Sequence, residues 1–546
     1  MMLPPFLSRS SRYQRWLVGL FLGGLLVLGV ATVPDYGVSY DAEASRAVGM
    51  TNLRYVAEKF NPSFVTRPSQ VGNFAYFTVP LLQFTDRDYG PAYELPVTLA
   101  ERLLDLPDTR YVFLFRHLCT FLVSWIGIVA LYGLGRRRYG GDWRTGLAAA
   151  ALLVLSPRLL GEFFYNDKDA VFTALSLVAT YTTVRFVERP TWRWALLHAL
   201  ACALAIDVRL MAVLWPLATL VLLAWRSGRG EYRLVGSGWQ RGAALLVYSL
   251  ALPTLVVVFW PYLWEAPWRN FAQAFLNMQH FRWDGPMLYQ GGTVYASQIP
   301  WHYVPQWIAV TTPLLQVALL LLGLVAIAYQ TGRRGWRLYG VGTREWQDLL
   351  FVGLGLSPML AIITLHSVLY DGWRQVYFVY PLLLLVALRG LVALWGWLQR
   401  LPQWQQQVAI SLVVVGALSS AAQIVWMYPL QSLYFNALAG PEPRTRFEQD
   451  YWGISYLRGL EWVLAHDERS HIRVYTEDNM SPPLRTNSHI LPPGKKERIE
   501  VVYSLHEADY FLASYRYHPG PYDLPPATGV VKAGNQVVLS IFRLKW

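Results

Sequence analysis

GEFFYNDKDAVFTALSLVATYTTVRFV, residues 161–187, joins a knot of charges to an apolar run. Ala170–Val187 has the length and composition of a helix that crosses a bilayer. Asp167-Lys168-Asp169 stands at its mouth, in a short hairpin that follows another apolar run, Thr145–Leu160. Comparable runs lie outward on both sides: Trp16–Val33 and Leu118–Leu134 before it, then Trp192–Ile206, Leu210–Trp225, Ala243–Leu263, Trp307–Tyr329, Leu349–Leu365, Val376–Leu398 and Val408–Met427. The expected fold class is an all-α polytopic membrane protein of about eleven transmembrane helices. Only 15% of the 546 residues are charged, against about 25% in soluble chains. Cys119 and Cys202 both fall inside apolar runs, so neither a disulfide framework nor a metal knuckle is available.

Charge gives the orientation. Alternate connections hold twenty arginines, from Arg9, Arg12 and Arg15 to Arg389 and Arg400, whereas the opposite short ones hold five basic residues, Lys168, Arg209, Arg269, Arg282 and Arg374. By the positive-inside rule the arginine-rich side is cytoplasmic. The N-terminus is then inside, the connection 34–110 is outside, and an odd number of spans puts the C-terminus outside the bacterial cytoplasmic membrane. No small-x-small cleavage site closes the first run, which reads as an uncleaved helix. The net charge of +12 is an anchor toward cytoplasm and anionic membrane lipids, and gives no sign of nucleic acid.

No GxxxxGK[ST] phosphate loop and no HExxH occur in the chain. Polar residues gather instead in the outer connections. Asp41 and Glu43 follow the first span and open Ala44–Phe60, whose Val48, Leu53, Val56, Ala57 and Phe60 recur at helical spacing, as in a helix lying on the membrane surface. Asp41 reads either as an N-cap or as a base held at the bilayer edge. Asp167, Lys168 and Asp169 form either a solvated loop or a grip on a divalent cation or a phosphate. Asp207 and Arg209 form either an ion pair across a tight turn or a functional pair at membrane depth. Two later segments, Trp260–Pro305 and Leu369–Tyr377, read as interfacial aromatic belts, but Arg374 sits where a guanidinium suits a lipid phosphate. Arg116-His117, at the edge of the second span, could face the same cavity.

Ser39-Tyr40-Asp41-Ala42-Glu43, Asp88-Tyr89-Gly90-Pro91, Asn166-Asp167-Lys168-Asp169, Pro300-Trp301-His302-Tyr303 and Trp373–Pro381 stand in an order that resembles the C-type membrane glycosyltransferases. Within them the chain resembles the bacterial branch related to protein O-mannosyltransferases and the lipid A aminoarabinose transferase. Tyr434–Gly440 and Asp450-Tyr451-Trp452-Gly453 resemble a subset of it, so the likeness spans roughly residues 10–460. The resemblance implies inverting transfer of a sugar from a polyprenyl phosphate or pyrophosphate to a hydroxyl of a glycan, lipid or protein. It implies that Asp41 takes the acceptor proton and that Asp167 and Asp169 position acceptor, metal or donor head. Lys168, Arg209 and Arg374 would hold the departing phosphate, with His302 and Tyr303 on the substrate side. No cofactor follows beyond a divalent cation at the acids. Adjacent acids are common in the family, whereas here Ala42 separates Asp41 from Glu43, which leaves open whether Glu43 shares the catalytic role.

The chain divides into a membrane domain, 1–428, and a soluble-type segment, 429–546. In the latter Tyr451–Ala465 reads as helix, and Ile472–Thr476, Ile499–Tyr503, Tyr510–Ser514 and Val537–Arg543 as strands. The expectation is a small extracytoplasmic α/β domain. A transporter or flippase is the alternative reading, but the paired halves with broken helices typical of one are not visible.

Overall fold

The computed structural model describes residues 12–66, 79–230, 238–279, 283–340 and 342–545. Arg9, Arg282 and, among the arginines of the cytoplasmic connections, Arg233 fall outside them. Among the described residues nine helices are long and apolar enough to cross a membrane: Arg12–Asp35, Thr109–Arg138, Asp169–Glu188, Leu210–Gly228, Gly238–Phe259, Leu314–Tyr339, Trp346–Leu365, Val379–Leu398 and Gln403–Trp426. A tenth arises if Trp143–Val154 and Pro157–Tyr165 are one span, bent by 76°. The remaining expected span, Trp192–Ile206, is the helix Trp192–Val208, which has 17 residues. It nonetheless runs the length of its neighbour: Arg185 lies 4.4 Å from the Trp194 ring near one end, and Arg209 pairs with Asp169 at the other.

Two expected spans are not straight. In Thr145–Leu160 the break falls at Ser156-Pro157. Proline has no N–H to continue the ladder, and the Ser156 N–H takes the Leu153 carbonyl at 3.1 Å instead. The Ser156 hydroxyl lies 3.0 Å from Gln316 Oε1 and 2.9 Å from the Tyr380 hydroxyl, which pins the corner. Trp307–Tyr329 is divided at Pro313 into Tyr303–Thr311 and Leu314–Arg334.

Burial separates central helices from peripheral ones. Asp169–Glu188 is buried over 78% of its apolar window, but Gln403–Trp426 over only 6%, which leaves the latter's apolar surface to lipid. Leu314–Arg334 and Val379–Leu398 cross in backbone contact. A Cβ on Gly323 would lie 2.0 Å from the Val386 carbonyl oxygen, and one on Gly390 2.0 Å from that of Leu319. Small residues at such a crossing let membrane helices pack by close approach.

After the first span the chain forms the helix Ala42–Phe60, which buries Val48, Leu53 and Ala57 and packs on Glu94–Leu104. The C-terminal segment holds a five-stranded sheet in the order Ile499–Val501, Ile472–Tyr475, Tyr510–Ala513, Gln536–Arg543, Gly529–Ala533. The first three strands are parallel, and the last two add as an antiparallel hairpin. Gly529–Ala533 is an additional strand beyond the four expected. The helix Ser455–His466 packs Leu457, Leu460 and Val463 against Val474, Leu512 and Leu539 of the sheet.

Candidate active site

The corner at Pro157 sends the helix Pro157–Tyr165 across the end of the bundle that carries the C-terminal domain, and so delivers Glu162 and Asn166 to one place. The Asn166 side-chain carbonyl accepts the N–H of Asp169 at 2.8 Å and of Lys168 at 3.3 Å, closing the turn that starts the next span. Its amide donates to Glu162 Oε2 at 2.9 Å. Glu162 is fully buried and accepts from Tyr377 Oη at 3.2 Å, Tyr451 Oη at 3.3 Å and Trp452 Nε1 at 3.0 Å. A buried carboxylate with this many donors is satisfied and rigid. It ties the bend, the Arg374 segment and the C-terminal domain together.

Asp169, at the head of its helix, pairs with Arg209 and lies 3.3 Å from Arg374 Nη1. Arg374 is the hub. The same Nη1 lies 3.2 Å from Asp41 Oδ2, and Nη2 lies 3.1 Å from Asp371 Oδ2. The guanidinium also sits 4.7 Å from the Trp452 ring centre and 4.8 Å from that of Tyr370. Burial works against its charge, but Asp41, Tyr370, Asp371 and Asp169 more than offset it, so its pKa is raised. Lys168 differs. Among the described residues no carboxylate comes within ion-pair distance of it, and its ammonium lies 3.1 Å from the ring centre of Tyr89. Burial, then the Arg209 charge, bring it down to about 8.

A second group of charges lies behind the surface helix. Ser45 Oγ donates to Asp167 Oδ1 at 2.9 Å, and Arg116 Nη2 is 3.9 Å from Asp167 Oδ2. Arg116 also pairs with Glu94 and, at 3.5 Å, with Glu101, which Arg46 holds from the other side. Burial, then the Glu94 carboxylate, push the Asp167 carboxyl well above its ordinary value.

The structure thus brings Asp41, Lys168, Asp169, Arg209 and Arg374 to one face, with Asp167 beside them. Asp41 stands at the N-cap position but makes no side-chain capping bond. Glu43 turns the other way, to Thr486 Oγ1 at 2.8 Å and Arg485 Nη2 at 3.3 Å in the C-terminal domain. His302 starts a separate short helix, its Nδ1 2.7 Å from the Tyr289 hydroxyl. Tyr303 is buried against Tyr289 and Trp307. Asp207 and Arg209 do not pair with each other. Arg209 is extended, at φ −148° and ψ 123°, which separates the two side chains. Asp207 Oδ1 accepts the Ala92 N–H at 2.6 Å while Arg209 reaches Asp169. Asp167 and Asp169 likewise face different guanidinium groups, and among the described residues no three His, Cys, Asp or Glu side chains converge as a metal-binding set.

Several site residues escape sequence reasoning. Asp371 lies inside a segment read for its aromatics. Glu448 is buried there too, and burial, then Asp371, push its carboxyl up to about 8. Arg516 arrives from the C-terminal domain, its Nη2 2.5 Å from Asp371 Oδ1. No local signal marks Arg516, because it stands in a loop after a strand with no periodic neighbours.

The apolar spans and the C-terminal sheet define a mostly helical, multi-pass membrane protein with a small C-terminal domain. Residues 115–260 match the family model of dolichyl-phosphate-mannose-protein mannosyltransferase. No curated protein sequence matches the chain. Among solved structures, ArnT from Cupriavidus metallidurans in the apo state is similar over 97% of this chain and 98% of its own, at 13% identity and a TM-score of 0.49. ArnT bound to undecaprenyl phosphate covers the same shares at 12% identity and 0.45. The arabinofuranosyltransferase AftD from Mycobacteria is similar over 98% of this chain and 40% of its own, at 13% identity and 0.39.

Proposed function

We propose that the chain is an inverting glycosyltransferase, moving a sugar from a polyprenyl-phosphate or pyrophosphate carrier to a hydroxyl acceptor on the outer face of the bacterial cytoplasmic membrane. One observation carries the reading: a partly exposed carboxylate, Asp41, faces a group of cations, the buried Arg374 with the half-buried Arg209 and Lys168, at the end of a helix bundle. The family match over 115–260, which includes Lys168 and Arg209, supports it. The orientation rests on the arginine bias. The helix Thr109–Arg138 has 30 residues, so it extends about 45 Å; Arg116 is near the site and Arg136, Arg137 and Arg138 are at the far end.

In this reaction the acceptor oxygen attacks the anomeric carbon as the carbon–oxygen bond to phosphate breaks. The phosphate leaves with the electron pair, and the acceptor proton passes to Asp41. A single displacement inverts the anomeric centre. Negative charge grows on the leaving phosphate, so cations already fixed at that point lower the barrier more than they stabilise the ground state. Lys168 is the cation that, among the described residues, has no ion-paired carboxylate to give up. When phosphate takes Arg374, the Asp41 carboxylate is released from its ion pair and is free to accept the hydroxyl. Asp169, shared between Arg209 and Arg374, holds these two cations in register.

The test is mass spectrometry of polyprenyl-linked sugars and surface glycans in cells with the gene deleted, then complemented by wild type or Asp41→Asn. Deletion and Asp41→Asn should both accumulate one polyprenyl-linked sugar and lose one glycan modification. Unchanged carrier pools and glycans in both strains would overturn the reading.

A further inference from the structure

One carboxylate connects Arg374 to the C-terminal domain. Asp371 has a φ of +55° and is followed by Gly372 at +72°. A non-glycine residue in this left-handed region is strained and persists where surrounding contacts demand it. Two arginines supply those contacts. Arg374 Nη2 lies 3.1 Å from Asp371 Oδ2, and Arg516 Nη2 lies 2.5 Å from Oδ1. The second terminal nitrogen of Arg516 donates to the Tyr451 carbonyl at 2.8 Å, so its fork is fixed at both tips. Its side chain is only 5% exposed, so the contact is screened little by solvent.

We infer that Arg516 is a positioning residue. Acting through Asp371, it sets the Arg374 guanidinium toward the donor phosphate, which makes the C-terminal domain part of the catalytic unit. The inference rests on the donor-site reading above. Its electrostatic basis is the sharing of Asp371. One carboxylate between two guanidinium groups leaves a net positive charge on the trio, so Asp371 holds Arg374 in place without by itself neutralising it. Its geometric basis is the loss of Asp41 as a partner when phosphate arrives. Asp371 and Asp169 then hold Arg374 alone, and Asp371 is itself anchored by Arg516. A displacement of about 1 Å at a charge-stabilising group can cost on the order of a hundredfold in rate.

The experiment uses the full-length protein in detergent, with undecaprenyl phosphate as probe and binding read by tryptophan fluorescence. Arg374→Ala, Arg516→Ala, Arg516→Lys, Asp371→Asn and the double variant Arg516→Ala/Asp371→Asn are compared. Lys496→Ala is the control, since it removes a different contact of the C-terminal domain, the 3.4 Å pair with Asp108 of the membrane domain. Arg516→Ala should weaken binding by roughly tenfold or more, as expected for a lost charge-assisted contact. Arg516→Lys should recover part of it, and Lys496→Ala should bind as wild type. The double variant should be no weaker than Asp371→Asn alone, because residues acting in series are not additive. Wild-type affinity in both Arg516 variants while Arg374→Ala loses binding would overturn the inference and leave the donor site standing. Full additivity in the double variant would also overturn it. Unchanged binding in Arg374→Ala would instead remove the donor-site reading, and this inference with it. If Arg516→Ala fails to fold, the Lys variant carries the comparison: a melting curve like wild type with weakened binding supports positioning, and wild-type binding refutes it.

Discussion

Replacing Asp41 by asparagine separates catalysis from structure more sharply than any other single change. The side chain keeps its shape and loses its charge. No capping bond is at stake, since Asp41 makes none. The structural loss is one ion pair, Asp41 to Arg374 at 3.2 Å, with the aspartate side chain 31% exposed. Arg374 retains Asp169 at 3.3 Å and Asp371 at 3.1 Å, so its charge stays compensated. Partly exposed pairs of this kind contribute up to about 1 kcal/mol, which corresponds to roughly 1 °C in melting temperature for a chain of 546 residues. Loss of a positioned base costs about 10²–10⁴ in rate, or roughly 3–5 kcal/mol in the barrier. Donor binding should be unchanged or tighter, because a carboxylate competing for Arg374 has gone. The assay measures melting, undecaprenyl-phosphate binding and sugar transfer on the same preparation. Normal melting, intact binding and transfer reduced by at least about a hundredfold are expected. Transfer within a few-fold of wild type would refute Asp41 as the base. Glu43→Gln belongs in the same series. Its partners are Arg485 and Thr486 rather than the cation cluster, so it should be the milder change; a severe Glu43→Gln beside an active Asp41→Asn would reverse the assignment.

Three further outcomes follow from the charges. Lys168, brought down to about 8, is in its phosphate-binding protonated form below that pH and loses it as pH rises. The KM for the lipid-linked donor should therefore climb above about pH 8, and Lys168→Arg should flatten that climb; an identical climb in the variant would refute the role. Glu448 keeps its proton in the native state up to about 8, against 4.5 in the unfolded chain, so its contribution to stability falls as pH rises across that window. Melting curves of Glu448→Gln against wild type should diverge in the variant's favour toward pH 8, and parallel curves would exclude a buried protonated carboxyl there. Reporter fusions after Arg138 and Arg337 should read cytoplasmic, and those after Asp169, after Pro286 and at the C-terminus external. An external signal after Arg337 would invert the proposed placement of the site.

What the sequence by itself determined was carried by signals that are local or additive. Hydropathy over about twenty residues marks a span whatever it packs against. The arginine bias is a sum over connections, and the alternation at Ile472–Thr476 or the β-branched apolar run at Val537–Arg543 marks a strand without its partner. The acids after the first span and before Ala170 were visible for the same reason. Which charge meets which was decided by the tertiary structure. Asp41 and Glu43 are two residues apart at the start of a helix, so their side chains diverge by about 200°. One faces Arg374 from the membrane domain and the other Arg485 from the C-terminal domain. Asp207 and Arg209, adjacent but for Val208, separate because the helix ends at Val208 and Arg209 is extended, and each finds a partner more than thirty residues away. Arg516 reaches Asp371 across 145 positions. Sequence periodicity states which residues share a face. What that face meets depends on helix crossings such as Gly323 on Gly390 and on the corner at Pro157, and those are properties of packing between elements, which no single segment encodes.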